Sequence, residues 1–270
     1  MHMTEMEFQK LSGFIKENFG ISIKREKKSI LESKLEKNLY EEKCDNFTQY
    51  YRKILEDKSG DKIVSFVNTI TTNHTFFMRE QDHFYYFKDE VLPYLKRQIK
   101  DNDLRIWCSA CSSGEEAYTI AMILDEFFGN EKATWDTKIL ATDLSTKVLS
   151  IAKKGIYSSE SVKPLPSLWK MNYLKKLDAE NYSIMDSIKN QVIYRRLNLM
   201  SRAFPFRKKF HAIFCRNVMI YFDNKTKIEL INKFYDLTEP GGYLFIGHSE
   251  SISRDESKYK YVRPAVYRKE

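Results

Sequence analysis

Apolar side chains in residues 1–70 recur at the three- and four-residue spacing of amphipathic helices. Phe8, Leu11, Phe14 and Ile15 make one stripe, and Ile30, Leu31, Leu35 and Leu39 a second. Phe47, Tyr50, Tyr51, Ile54 and Leu55 make a third, followed by Ile63, Phe66 and Val67. Gly20 and the run Lys58-Ser59-Gly60-Asp61 punctuate the pattern where helices should end. The spacing predicts a small all-helical domain over 1–70.

Beyond residue 100 the pattern changes to short apolar runs separated by helical stretches. Residues 104–108, 138–142, 192–195, 212–215 and 242–246 read as strands, and 115–128, 145–154 and 225–237 as helices. Strands alternating with helices predict a mostly parallel sheet covered on both faces. The tail, 259–268, has strand character and suits a hairpin at the sheet edge. Residues 157–191 break the alternation: Pro164 and Pro166 bracket a turn, Trp169 begins a short aromatic helix, and strand-like pieces follow at Tyr173-Leu174 and Tyr182-Ser183-Ile184. A crossover needs far fewer residues, so this stretch predicts an inserted subdomain within a domain spanning 71–270.

Composition narrows the class. With 42% hydrophobic and 14% aromatic residues the chain can bury a core, which excludes wholesale disorder. No run of apolar residues is long enough for a membrane span, and the polar, acid-bearing start does not resemble a signal peptide. Cys44, Cys108, Cys111 and Cys215 form no disulfide-like framework, which fits a reducing cytoplasm. The formal net charge of +8 is uneven: residues 151–214 carry 13 Lys and Arg against 4 Asp and Glu. That block is either a solvated basic face or a docking surface for an acidic partner. The cluster Lys24, Arg25, Lys27 and Lys28 is diluted by Glu26, Glu32 and Glu36 and is a weaker signal of the same kind.

Candidate chemistry sits at the strand ends. The first strand runs into Ser109-Ala110-Cys111-Ser112-Ser113-Gly114-Glu115-Glu116, a loop of small residues opening onto a helix, where a nucleotide-like ligand can approach backbone closely. It lacks the glycines of a dinucleotide fingerprint and the Lys-Ser/Thr of a P-loop. Two acids at a helix N-terminus disfavour a phosphate and suit a cationic or hydroxyl-bearing ligand; alternatively they only complement the helix dipole. The second strand ends in Ala141-Thr142-Asp143, where an acid is placed to take both ribose hydroxyls or, alternatively, to cap the next helix. Together the loops favour an adenosine ligand without phosphates, which points to S-adenosylmethionine. Cys108 and Cys111 span a strand end with no second pair, and the five histidines are scattered, so no metal site is expected. Thr71 to Glu80 is too polar for a helix interior and too rich in Phe for a linker, and reads as a segment laid over the ligand site. The run Phe214-Cys215-Arg216-Asn217-Val218-Met219-Ile220-Tyr221-Phe222 places Arg and Asn at the carboxyl end of a buried strand.

These blocks, with Asn73-His74-Thr75-Phe76-Phe77, Arg79-Glu80 and Gly247-His248-Ser249-Glu250-Ser251, occur in one order and closely resemble the chemotaxis receptor methyltransferases, the CheR family. The resemblance runs from about residue 8 to 268. It implies an α/β fold: a Rossmann-like class I methyltransferase domain with a small antiparallel β-subdomain insertion, preceded by an all-helical N-terminal domain. It implies methyl transfer from S-adenosyl-L-methionine to glutamate side chains of chemoreceptors, leaving S-adenosyl-L-homocysteine. Carried over by position, Asn73, Thr75, Arg79, Glu116, Asp143, Asn198, Leu199, Arg216 and Asn217 would bind the cofactor, and Arg79 and Tyr221 would face the reacting centre. The implied partners are the acidic helical bundles of receptor cytoplasmic domains, with no nucleic acid, no membrane insertion and a monomer as the expected state. Two departures stand out. Ala117-Tyr118-Thr119 replaces the Pro-Tyr-Ser frequent in relatives, and the β-subdomain has no obvious glycine-rich loop of the kind associated with binding a receptor's C-terminal pentapeptide.

A glutamate acceptor is ionised at neutral pH and needs no general base, and none accompanies the Arg-Asn block. Two other readings are a methyltransferase acting on RNA or a small molecule, motivated by the basic block, and a catalytically silent, cofactor-binding adaptor. The absence of an Asn-Pro-Pro-Tyr element argues against the first, and the presence of Arg79 and Tyr221 against the second.

Overall fold

A computed structural model of the chain describes residues 2–71, 74–253 and 255–270. The chain forms two compact units. One holds residues 1–74 with two short returns, 198–200 and 221–227, and the other holds 75–197, 201–220 and 228–270.

The first unit is built on helices α1 (Glu5–Phe19), α2 (Lys28–Glu41), α3 (Phe47–Glu56) and α4 (Asp61–Ile70). Its core follows the sequence stripes: Leu11, Ile15, Leu35, Phe47, Ile54 and Phe66 are fully buried. Thr4 and Glu7 cap α1 reciprocally. The other oxygen of Glu7 accepts from the Thr48 amide at 2.9 Å and its hydroxyl at 3.0 Å, tying the start of α1 to the start of α3. Gly20 ends α1 at φ 71°, and a Cβ there would lie 2.5 Å from the Met200 sulfur, so glycine is required on two counts. The two returns are fastened to this stretch. Asn198 Nδ2 donates to the Asn18 carbonyl, the Ser22 amide donates to the Tyr221 carbonyl, and Lys16 pairs with Asp223.

The second unit carries a seven-stranded sheet in the order β6-β2-β1-β7-β8-β10-β9. The strands are β1 (Ile106–Cys108), β2 (Ile139–Asp143), β6 (Val192–Arg196), β7 (Phe210–Cys215), β8 (Thr238–Ile246), β9 (Lys260–Arg263) and β10 (Val266–Arg268). Pairing is parallel from β6 to β8, and the tail adds the expected antiparallel edge hairpin. Helices α5 (Gln81–Tyr86), α6 (Leu92–Gln98), α7 (Glu115–Phe128), α8 (Thr146–Lys154), α9 (Ser167–Tyr173), α10 (Asp186–Lys189) and α11 (Asn224–Leu237) complete the set, with a π turn at Phe87–Val91 joining α5 to α6.

Alternation along the strands sorts the core into two faces. Phe214 and Phe245, on neighbouring strands, stack at 4.4 Å with Phe87 edge-on to both. Trp107 points the other way into Phe204, Phe206, Phe210 and Phe234, and its indole donates to Thr142 Oγ1 at 2.9 Å.

The interruption seen in the sequence is a three-stranded antiparallel sheet, β3-β5-β4, built from β3 (Ile156–Ser158), β4 (Leu174–Lys176) and β5 (Asn181–Ile184). Strand β3 carries no sequence signal of its own. Gly155 closes α8 in the left-handed region, and the chain passes straight into the strand. From β1 the sheet grows outward through β2 and β6 on one side and β7 and β8 on the other, so the switch point lies between β1 and β7.

Candidate functional site

Ligands in open α/β sheets bind outside the carboxyl ends of the strands at the switch point. Here that place is walled by the loops after β1, β2 and β7. Ser109 locks the first loop to β7: its amide and hydroxyl both donate to the Phe214 carbonyl, at 2.8 and 3.0 Å. The Cys111 amide donates to the Thr142 carbonyl at 2.9 Å. Gly114 sits at φ 99°, and a Cβ there would meet Ala152 Cβ at 2.8 Å and the Tyr194 hydroxyl at 2.9 Å. Tyr157, from β3, donates to the Ser113 carbonyl at 2.6 Å, so the small sheet touches this loop directly.

The two acids that open α7 have different duties. Glu115 is buried and accepts from the Ser113 hydroxyl. Glu116 accepts from Arg216 Nη1 at 2.7 Å and from the Cys108 thiol at 3.0 Å. All four cysteines are free and buried, and burial pushes the thiols of Cys108, Cys111 and Cys215 well up. That environment makes them inert packing groups rather than ligands or nucleophiles.

Asp143 closes β2. Its Oδ2 accepts from the Ser112 amide and its Oδ1 from the Ser145 amide, each at 2.9 Å. The helix-capping alternative does not hold: α8 is capped by the Ser145 hydroxyl, which accepts from the Val148 amide. Burial raises the Asp143 carboxyl above its usual range, against the backbone amides of Ser145, Ser112 and Leu144. Three amides share its two oxygens, which leaves acceptor capacity for a ligand hydroxyl.

The loop after β7 joins the turn at residues 76–80 through Arg216. The Arg216 guanidinium is only 2% exposed, and pairs with Glu116 at 2.7 Å and Glu80 at 3.0 Å. It also donates to the Arg79 carbonyl and lies 5.0 Å over the Phe84 ring. Asn217 Nδ2 donates to the second oxygen of Glu80 at 3.0 Å, and the His248 amide donates to the first at 3.2 Å. Burial opposes the charge of Glu80, yet the Asn217 hydrogen bond and Arg216 hold its carboxyl below the usual range. Met78, Glu80 and Asn217 all adopt left-handed φ, at 60°, 55° and 59°. Backbone strain of this kind concentrates at ligand sites.

The sequence-derived site residues therefore divide. Glu116, Arg216 and Asn217 are joined through hydrogen bonds centred on Glu80, and Arg79 enters that network by its carbonyl. Asp143 is linked to the β1 loop through Ser112. The half-buried Thr75 lies at the start of the same unit, and Asn73 lies outside the described residues. Asn198, Leu199 and Tyr221 belong to the first unit.

Three residues around the site carry no role that the sequence pattern reveals. Glu80 lies in the Arg79-Glu80 block without one. Glu250 lay inside Gly247-His248-Ser249-Glu250-Ser251, likewise without one. His83 left no signal, because a lone histidine on a helix reads as packing. It is fully buried, its ring lies 4.4 Å from that of His248, and desolvation, with Arg216 and His248, lowers its pKa to about 4. Glu80, His83 and His248 bring potential ligand atoms within 4.8 Å of one another. Both oxygens of Glu80 already accept internal hydrogen bonds, and the adjoining guanidinium repels a cation.

Residues 73–267 match the family model described as CheR methyltransferase, SAM binding domain, and residues 6–71 match CheR methyltransferase, all-alpha domain. The chain is 41% identical over 273 residues to a chemotaxis protein methyltransferase of Borreliella burgdorferi, covering 100% of this chain and 96% of the relative. It is 34% identical over 246 residues to a probable chemotaxis protein methyltransferase of Rhizobium etli, covering 90% and 91%. It is 31% identical over 268 residues to the chemotaxis protein methyltransferase of Escherichia coli, covering 98% and 91%. No helix among the described residues is long and apolar enough to cross a membrane.

Proposed function

The chain belongs to the CheR methyltransferase family and is an S-adenosylmethionine-dependent enzyme, and from that premise we propose that its acceptors are glutamate side chains of chemoreceptors, converted to methyl esters. The observation that carries the reading is the donor set at the switch point. Asp143 and Glu116 offer carboxylate oxygens beside small-residue backbone, with no lysine and no glycine-rich cradle for a phosphate. This chemistry fits an adenosine ligand bearing a cationic group and free hydroxyls. When bound, S-adenosylmethionine supplies an electrophilic methyl group on a sulfonium.

The chain's own residues then have distinct tasks. Asp143 accepts the ribose hydroxyls. Glu116, held by Arg216, keeps a negative charge beside the β1 loop. Arg79 orients the acceptor carboxylate, which a guanidinium can do through paired hydrogen bonds. Its grip must be modest, because equal binding of ground and transition states does not raise turnover. The family resemblance gives Tyr221 the task of aligning the donor methyl through its hydroxyl. Methyl transfer to an acceptor carboxylate that is already ionised would require no proton removal, so no general base is needed. Opposite charges vanish in that step, so excluding water favours it, and alignment supplies much of the remainder.

The basic block at 151–214 supports an acidic partner for the small sheet. Lys163, Lys175 and Lys176 are exposed there, beside exposed Leu168, Met171 and Leu177.

The test is incubation of the full chain with methyl-labelled S-adenosylmethionine and a receptor cytoplasmic domain. The expected result is label on the receptor that is released as methanol by mild base. Label that is stable to base, or label on RNA instead, overturns the glutamate assignment.

A further inference from the structure

The Gly247 to Glu250 turn has no role in the chemistry described so far, yet it carries a buried carboxylate with an unusual set of partners. Glu250 is only 7% exposed. Its Oε2 accepts from the Gly247 amide at 2.6 Å and the Asn217 amide at 3.0 Å. Its Oε1 accepts from the Ile220 amide at 3.1 Å, and the Met219 amide also donates to the carboxylate. Two of these donors open the single 3-10 turn Met219–Tyr221, where helix geometry leaves amides without internal acceptors. Burial pushes the Glu250 carboxyl up, against the amides of Gly247, Asn217, Met219 and Ile220.

The placement is specific. Strands β7 and β8 run parallel with Cys215 opposite Ile246, so the two loops leave neighbouring strand ends together. A Cβ on Gly247 would lie 2.9 Å from the Asn217 amide and collide with the Asn217 side chain. Only glycine lets the second turn come close enough for Glu250 to reach the first. Asn217 is held from two sides: Glu250 takes its backbone amide, and Glu80 takes its side-chain amide. Its left-handed φ of 59° is a conformation the surroundings must enforce. Arg216, one residue earlier, is thereby fixed where it bridges Glu80 and Glu116.

We infer that Glu250 is a positioning residue for cofactor binding, acting through the backbone of Asn217 to Ile220 to hold Arg216 and Asn217 at the switch point. The inference rests on the reading above that these two residues line the cofactor site. Both oxygens of Glu250 serve amide donors, so glutamine turns an NH₂ group toward a donor and loses one side of the clamp. Aspartate keeps the charge but is one methylene short, and spans the two turns incompletely.

Full-length Glu250→Gln, Glu250→Asp and Asp143→Ala variants test this by calorimetric titration with S-adenosylhomocysteine, thermal unfolding, and separate kcat and KM for S-adenosylmethionine. Glu250→Gln should weaken cofactor binding and raise that KM by about tenfold or more, as expected for a lost charged hydrogen bond. Glu250→Asp should fall between it and the parent. A role limited to general stability instead lowers the melting temperature and the active fraction, with KM for the cofactor unchanged, and overturns the inference. Should Glu250→Gln fail to fold, the same titration on Glu250→Asp decides, and parental affinity there overturns it. Normal affinity in the Glu250 variants beside a weakened Asp143→Ala defeats only the role of Glu250. Normal affinity in Asp143→Ala defeats the placement of the cofactor site at the switch point.

Discussion

The loops at the switch point and the three-stranded sheet that follows α8 lie in one unit and meet at Tyr157, but they use charge in opposite ways. At the switch point most described charges are tied to internal partners. Arg216 is shared between Glu80 and Glu116, Glu250 accepts from four backbone amides, and Asp143 accepts from three. On the small sheet, Lys175 and Lys176 stand exposed, and Met171 of the preceding α9 is 75% exposed. A buried charge network is costly to break, because removing one partner strands another in low dielectric. An exposed charge is cheap to change and acts at a distance through solvent. On the function proposed above, the first arrangement would hold a small ligand in one pose, and the second would meet a large partner.

The sharpest way to break the contrast is Arg216→Ala. It leaves the half-buried Glu80 and Glu116 without their cation and frees the Arg79 carbonyl. The expected cost is about 3–5 kcal/mol of stability, the usual range for half of a buried ion pair. Cofactor binding should be lost with it. Chemical denaturation and calorimetry on the same preparation check both. A loss below about 1 kcal/mol would mean that the network is solvated like a surface pair.

Next in size is a pH effect from His83. Its pKa is lowered to about 4, with burial as the largest cause and the positive groups Arg216 and His248 next, partly offset by Glu80 and Asp82. The unfolded chain binds a proton near pH 6.5 that the folded chain refuses until about pH 4. Through that window the unfolded state holds more protons, so stability falls as pH falls. The whole shift corresponds to about 3 kcal/mol. His211, also lowered to about 4, adds a parallel loss from a site away from the network. His83→Phe should flatten part of the decline between pH 6.5 and 4 in urea melts at stepped pH. An unchanged slope would assign the decline to other groups.

How much of this was legible differs between the two regions for a physical reason. Helical stripes and buried strands announce themselves by period, so the helices of the first unit and the parallel strands were readable. The positions of Asp143 at a strand end and Glu116 at a helix start were readable, because α/β sheets expose polar groups there. Glu80 and Glu250 were not, since their partners lie more than a hundred residues away or on main-chain amides, which no side-chain pattern records. Ser145 rather than Asp143 caps α8, a choice between two good capping residues that only geometry makes. Strand β3 was hidden because it starts directly after the helix-ending Gly155 and buries a single residue, Tyr157. The basic block was visible as composition, but its arrangement around a sheet was not.

The smallest expected effect concerns that block, and it sharpens the comparison most. Lys170, Lys175 and Lys176 all lie on α9 or β4, and the Lys170 ammonium donates to the Lys163 carbonyl. Reversing all three to Glu removes three positive charges and adds three negative ones on a face that makes no part of the buried network. If the face steers an acidic receptor, the apparent KM for receptor should rise several-fold at low salt. The defect should shrink as ionic strength approaches 0.15 M, where screening acts over about 8 Å. Cofactor affinity and the urea midpoint should stay at parental values, because surface charges contribute little to stability. A triple variant with parental receptor kinetics in dilute buffer makes these lysines a solvated face. A variant that also loses cofactor affinity refutes the separation itself, and the contact from Tyr157 to Ser113 then becomes the route by which the small sheet reaches the site.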